Sequence, residues 1–321
     1  MSAEKLPETG KVELTILVPV LNEEDSIGLF LETITPVLES LGNTYEILFV
    51  DDGSRDQTPA IIYGSAKRDP RVNVIILSRN FGKEAALSCG LDHARGEAVI
   101  PMDVDMQDPP NLIPLMVERW REGSDIVLAV RRNRKDDSWF KRNSANAFYS
   151  LISKMTSVDI VPNAGDFRLM DRKVIEALKL VRERNRFMKG LMSWPGFMTT
   201  KVYYDRPPRA KGTSKWNGWK LWNFALDGIF GFSSIPLRVW TYIGGLIALA
   251  SFFYAAFIVV RTLLLGVAVP GYASTITLIL FLNGLLMISN GIQGEYIARM
   301  FEEVKARPLY LVRERIGRGS E

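Results

Sequence analysis

The sequence predicts an α/β domain on a mostly parallel, doubly wound sheet, followed by two helices long and apolar enough to span a membrane. Three observations carry this. Short apolar runs alternate with segments of helical spacing from Glu13 to Val130, the pattern of parallel strands joined by crossover helices. The runs end in polar clusters, Asn22-Glu23, Asp51-Asp52, Asp103-Asp105 and Arg131-Arg132, and such sheets bind ligands beyond the carboxyl ends of their strands. Farther on, charge disappears from two long stretches, Val239 to Val260 and Tyr272 to Gln293.

Taken in order, Glu13 to Val20 reads as a strand that ends in the turn L-N-E-E-D-S. Ser26 to Leu41 has helical spacing through Ile27, Phe30, Leu31, Ile34 and Leu38. Tyr45 to Val50 is a second strand, stopped by Asp51-Asp52-Gly53-Ser54, and a short helix over Ala60 to Lys67 precedes a third strand, Val72 to Leu77. Lys83 to Ala94 is a helix, and Val99 to Met102 a buried strand bounded by breakers. That strand runs into D-V-D-M-Q-D-P-P; if it continues to Asp105, alternation puts Asp103 and Asp105 on one side of the backbone. Leu112 to Arg121 is a helix and Ile126 to Val130 a fifth strand. A helix follows over Lys141 to Thr156, then the stretch N-A-G-D-F-R-L-M (163–170), a helix to Leu180 that Asp171 could cap, and a strand over Thr199 to Tyr204.

Trp216 to Phe232 places Lys220, Asn223 and Asp227 on one narrow stripe and surrounds it with tryptophan, leucine and phenylalanine. With the basic segment before it, this fits a helix in the membrane interface, although a core helix would show the same stripe. Each uncharged stretch is long enough to cross about 30 Å of hydrocarbon as a helix. The linker between them carries only Arg261, whereas Arg238, Arg299, Lys305 and Arg307 flank the outer ends. The positive-inside rule then puts both termini in the cytoplasm and the linker outside. The tail Arg307 to Val312 (R-P-L-Y-L-V) reads as a short strand. The expected division is residues 1–211 as the soluble domain, 212–237 as the interfacial segment, 238–296 as the hairpin, with spans at about 239–260 and 272–293, and 297–321 as the tail.

Composition excludes several functions. The net charge of +4 over 321 residues is too modest to point to nucleic acid. A single cysteine, Cys89, and a single histidine, His93, rule out an intrachain disulfide and zinc sites built from those residues. Met1 to Lys11 lacks the apolar core of a secretory signal, so the segments before the hairpin are expected to stay in the cytoplasm. Neither G-x-G-x-x-G after the first strand nor G-x-x-x-x-G-K-[ST] is present, which removes dinucleotide and P-loop readings. What remains is an acidic strand end suited to Mg²⁺ or Mn²⁺, whose ligands are oxygens and which retain waters or recruit phosphate oxygens. A D-x-D alone is by default a solvated acidic turn. With the other polar strand ends, a basic rim and a membrane anchor, it points to transfer of a group from a nucleoside diphosphate to something in the membrane.

Seven segments, in order, make this specific: V-P-V-L-N-E-E (18–24), V-D-D-G-S-R-D (50–56), S-R-N-F-G-K-E (78–84), D-V-D-M-Q-D-P (103–109), G-D-F-R-L-M (165–170), G-T-S-K-W-N-G-W-K-L-W-N (212–223) and K-A-R-P-L-Y-L-V (305–312). On them the chain resembles the family 2 glycosyltransferases of the GT-A fold, within these the polyprenyl-phosphate group. It is most similar to the bactoprenol glucosyltransferases, with aminoarabinose-type transferases and dolichyl-phosphate mannose synthases as cousins. The resemblance implies a Rossmann-like GT-A domain in the cytoplasm, an interfacial helix and a two-helix transmembrane hairpin in the cell membrane. It implies that Pro19, Asn22, Glu23, Asp52 and Lys83 bind the donor nucleotide, and that Asp103, Asp105 and Gln107 hold Mg²⁺ or Mn²⁺. Arg131, Arg142, Arg168, Arg209 and Lys215 would face the acceptor phosphate or the donor diphosphate, and Asp166 would be the catalytic carboxylate beside Asp105. The implied reaction moves glucose from UDP-glucose to undecaprenyl phosphate with inversion; another sugar, such as mannose or formylated aminoarabinose, is the nearest alternative. A non-catalytic membrane adaptor is more distant. A homo-oligomer, in this family a tetramer, is also implied. Because the nucleophile is an ionised phosphate, Asp166 is expected first to position Arg168, a metal-bound water or a sugar hydroxyl, with general base as the second reading.

Overall fold

The computed structural model describes residues 11–132, 161, 164–181, 183–184, 186, 188–205, 235–265 and 271–317. Eight strands form one sheet: β1 (Leu14–Val20), β2 (Tyr45–Asp51), β3 (Val72–Leu77), β4 (Ala98–Pro101), β5 (Ile126–Arg131), β6 (Ala164–Asp171), β7 (Thr199–Tyr204) and β8 (Val312–Ile316), in the order β7-β5-β6-β4-β1-β2-β3-β8. β1 pairs in parallel with β2 and β4, β2 with β3, and β5 with β7. Only β6 and β8 run antiparallel to their neighbours, so the sheet is mostly parallel, as expected.

The central strands are apolar at almost every position because both faces are covered. On β1, Leu14, Ile16, Val18 and Val20 point into the core beneath α1 (Ile27–Ser40), α2 (Thr58–Arg68) and α4 (Ile113–Arg121), whereas Leu17 joins the opposite core under α3 (Lys83–His93) and α5 (Arg172–Leu180). Asp171 caps α5 by accepting the Lys173 N–H at 2.9 Å. A short helix, α6 (Met188–Leu191), completes that second layer.

Several boundaries differ from the sequence expectation. β4 stops at Pro101, after which the Met102 N–H donates to the Leu17 carbonyl at 2.9 Å and the chain turns, with Met106 at φ 59°. The strand thus does not continue to Asp105; in the turn Met102 and Val104 are buried while Asp103 and Asp105 are partly exposed. The tail strand lies at Val312–Ile316 rather than Arg307–Val312; Pro308 has no N–H to give a ladder, and the alternating V-R-E-R-I supplies one. β6 contains the G-D-F-R-L-M motif, whose Asp166 and Arg168 interrupt the apolar run that marks the other strands.

Beyond the sheet, α7 (Ile235–Leu265) and α8 (Tyr272–Val304) contain 31 and 33 residues, roughly 47 and 50 Å at 1.5 Å per residue. Both outrun the apolar stretches, and Arg261 falls inside α7 instead of in the linker. Among the described residues one segment, Val239–Leu265, is long and apolar enough to cross a membrane, and none of it is buried in the monomer. The expected helices over 141–156 and 216–232 lie outside the described residues, as do Arg142, Arg209 and Lys215.

Candidate active site

The carboxyl ends of the parallel strands form one edge, and the loops there are stitched to each other. After β1, Asn22 adopts a left-handed conformation at φ 53° and its side-chain carbonyl accepts the Arg55 N–H at 2.9 Å. The Asn22 N–H donates to Ser54 Oγ at 2.9 Å and the Glu23 N–H to Thr58 Oγ1 at 2.8 Å. Pro19, within β1, stands opposite Val50. Asn22 and Glu23 thus fix the β1 and β2 loops against each other at the edge where the donor nucleotide was expected.

Asp52 is buried, and its two carboxylate oxygens accept the backbone N–H groups of Phe81 at 2.7 Å and Gly82 at 2.9 Å. Burial raises its pKa, and these two donors oppose the rise. In this structure Asp52 therefore holds the loop 78–82. Gly53 makes the close approach possible: it sits at φ 74°, and a Cβ there would lie 2.6 Å from the Arg79 carbonyl carbon.

That loop delivers Lys83 to the centre of the site. The Lys83 ammonium lies 2.8 Å from Asp103 and 2.9 Å from Asp166, bridging the two carboxylates. Partial burial lowers the Lys83 pKa, but Asp166 and Asp103 outweigh it and hold the group above the ordinary lysine range. The bridge depends on β6. Because β6 enters antiparallel between β4 and β5, its first residues reach the edge where the parallel strands end, and Asp166 comes beside Asp103. Arg168, two residues on in β6, is buried; its Nη2 donates to the Gly165 carbonyl at 2.8 Å, and burial lowers its pKa.

Asp105 accepts the Gln107 N–H at 3.1 Å. Asp108, which the resemblance does not single out, is buried beneath the turn. The Tyr204 hydroxyl donates to it at 3.4 Å, and Arg131 Nε donates to the Tyr204 oxygen at 3.4 Å. Burial, with Asp103 adding to it, pushes the Asp108 carboxyl up to about 7. In the sequence Asp108 stands out only as the third carboxylate of the D-V-D-M-Q-D run; its link to Tyr204 depends on the parallel pairing of β7 with β5.

Among the described residues no group of three or more His, Cys, Asp or Glu side chains forms a cage for a metal ion. The donor set still fits Mg²⁺ or Mn²⁺. Asp103 and Asp105 offer carboxylate oxygens on the exposed side of the turn, the Lys83 ammonium already shows a cation seated against Asp103, and both metals complete their shells with water and phosphate oxygens.

A model of glycosyl transferase family 2 matches residues 15–179, which is more than half of the chain. The chain belongs to this family. A second model, the GtrB C-terminal hairpin, matches residues 235–300 and so covers most of α7 and α8. An uncharacterized glycosyltransferase of Synechocystis is 54% identical over 94% of this chain and 95% of its own. The bactoprenol glucosyl transferase derived from the SfII prophage of Shigella flexneri is 50% identical over 94% and 98%. The prophage bactoprenol glucosyl transferase homolog of Escherichia coli K12 is 48% identical over 94% and 99%. Among solved structures, glucosyl-3-phosphoglycerate synthase from Mycobacterium tuberculosis with Mn²⁺, UDP and phosphoglyceric acid aligns at TM-score 0.46 and 18% identity over 68% of this chain and 76% of that one, a likeness too remote to inform the site. The glycosyltransferase has the GT-A-like α/β architecture expected of its family.

Proposed function

We propose that this glycosyltransferase moves glucose from UDP-glucose to undecaprenyl phosphate on the cytoplasmic face of the cell membrane, with α7 and α8 as a two-helix transmembrane hairpin. The observation that carries the reading is the Lys83 bridge between Asp103 and Asp166 at the carboxyl edge of the sheet, in a chain that pairs such an edge with a helix long and apolar enough to cross a membrane. Relatives about half identical over nearly the whole chain are named bactoprenol glucosyl transferases, which supports the acceptor and the sugar.

In this reading the loops fixed by Asn22 and Glu23, with Pro19 beside them, cradle the nucleotide, and Asp52 contributes by shaping the loop 78–82. Asp103, Asp105 and Gln107 would hold Mg²⁺ or Mn²⁺, which would supply positive charge to the donor diphosphate. Arg131 and Arg168 supply positive charge toward the acceptor phosphate, joined by Arg142, Arg209 and Lys215. The phosphate oxygen forms the new bond to C1 of glucose as the bond from C1 to UDP breaks, which inverts the anomeric centre. The attacking oxygen is already ionised near neutrality, so no proton has to be removed. Asp166 is engaged by Lys83, which suits a role in positioning the ammonium and the sugar. Anchoring in the bilayer fits the acceptor, whose phosphate lies at headgroup level.

The test is direct. Membranes containing the full chain are incubated with undecaprenyl phosphate and, separately, radiolabelled UDP-glucose, GDP-mannose or UDP-formylated aminoarabinose. Label should enter the lipid from UDP-glucose in a Mg²⁺- or Mn²⁺-dependent manner, and Asp105→Ala should lower it by more than about 100-fold. Lipid labelled only from another donor would replace the sugar assignment, and full activity in Asp105→Ala would overturn the metal site.

A further inference from the structure

Residues 78–93 carry Lys83 into the active site, and the tail after α8 holds this segment at both ends. At its start the Ser78 N–H donates to the Leu311 carbonyl at 2.8 Å, just where β8 begins its antiparallel pairing with β3. At its end the Tyr310 hydroxyl donates to Asp92 Oδ2 at 2.7 Å, and the Tyr310 ring meets His93 edge to face with centroids 6.2 Å apart. Arg315 Nη2 lies 2.6 Å from His93 Nε2. A guanidinium only donates, so Nε2 is the acceptor, and His93 Nδ1–H then donates to the Cys89 carbonyl at 2.8 Å. Burial and the hydrogen bond to Asp92 push the Tyr310 phenol well above its ordinary range, so its O–H donor persists across working pH. Tyr310 and Val312 also pack against the core shared by α3 and α5.

The other end of this tail is the last turn of α8. There Glu303 accepts the Arg184 N–H at 2.6 Å, and the Arg307 carbonyl accepts from Arg184 Nε at 3.0 Å. The end of α8 is thereby fixed to the stretch between α5 and α6, and a few residues later the chain grips α3. An α-helix of 11 residues is a stiff rod of roughly 16 Å, so a displacement at Asp92 and His93 is felt at Lys83.

We propose that the tail after α8 is a brace for the active site, in which Tyr310 and Arg315 are positioning residues that act through α3 to hold Lys83 between Asp103 and Asp166. The brace deepens the proposed function and rests on it for its meaning: it ties the helix that anchors the chain to the group that bridges the two active-site carboxylates.

Two measurements on the full-length chain test this. Amide hydrogen exchange compares wild type with Tyr310→Phe and Arg315→Gln. Exchange over 79–93 should become at least about fivefold faster while β1, β2 and β4 stay protected. Glucose transfer is then measured for each variant in wild-type and Lys83→Arg backgrounds. The tail variants should lower kcat about five- to tenfold in the wild-type background, leave KM for UDP-glucose unchanged, and have less than about a twofold effect once Lys83 is altered. Equal losses in both backgrounds, or faster exchange confined to 310–317, would overturn the proposal. Exchange does not depend on donor or acceptor, so a wild-type chain that glucosylates no lipid would remove the function and leave the brace to be judged on exchange alone.

Discussion

At the residue scale the site is a balance of buried and half-buried charge. Lys83 answers Asp103 and Asp166, and that arrangement separates two roles for Asp166. If it positions Lys83 and the sugar, Asp166→Asn lowers kcat on the order of 100-fold and the loss persists from pH 7 to pH 9; full recovery at the higher pH would mean that proton removal had been lost. Asp108 makes a different prediction. Its pKa of about 7 in the fold exceeds the roughly 3.9 of an unfolded aspartate, so the folded chain retains the proton longer. Its stabilisation is complete below about pH 4, declines as pH rises toward 7 and stays lost above that. Asp108→Asn keeps an acceptor for Tyr204 and mimics the neutral carboxyl. Thermal midpoints measured without added metal should converge with wild type near pH 4 and exceed it at pH 8, an effect on the order of 2–4 kcal/mol. A variant less stable than wild type at pH 8 would contradict this assignment.

At the element scale, the strand-end loops decide where the charges go. Gly53 lets the β2 loop lie against the Arg79 backbone, and Asp52 fastens Phe81 and Gly82 above it. Gly53→Ala combines a left-handed φ with a clash against main chain, and should cost about 1–3 kcal/mol and weaken glucose transfer through Lys83, read by a denaturant midpoint together with kcat. An unchanged midpoint would show that the loop can retreat. The first five strands and the helices between them were legible because each short run is predominantly apolar, with only single polar residues such as Thr15, Glu46 and Asn73 inside it. β6 was not, since Asp166 and Arg168 occupy alternate positions that a half-buried strand would fill with apolar residues. The D-V-D carboxylates could be picked out by type alone, but Lys83 appeared in the sequence only as part of a donor-binding motif. Its bridging position requires the antiparallel insertion of β6, a long-range pairing that no local pattern encodes. Asp52 shows the converse: its residue type suggested a ligand contact, and the fold spends both its oxygens on backbone amides.

At the scale of the whole molecule, the hairpin and the sheet form one continuous object, because the chain leaves the sheet after β7, builds α7 and α8, and returns as β8. The proposed topology has a simple check. In intact cells a membrane-impermeant maleimide should label Ala268→Cys, in the linker, and spare native Cys89, which is buried; an unlabelled linker would reverse or remove the hairpin. The return of the chain as β8 also bears on the order of biosynthesis. Tyr310 and Asp92 are 218 residues apart, and β3 has no neighbour on its outer side until residues 312–316 exist. A nascent chain must therefore place both hairpin helices while the catalytic sheet still has an open edge. Its last strand is made only after both helices, so a chain truncated just after the hairpin would contain every residue assigned to catalysis and still lack the strand that pairs with β3.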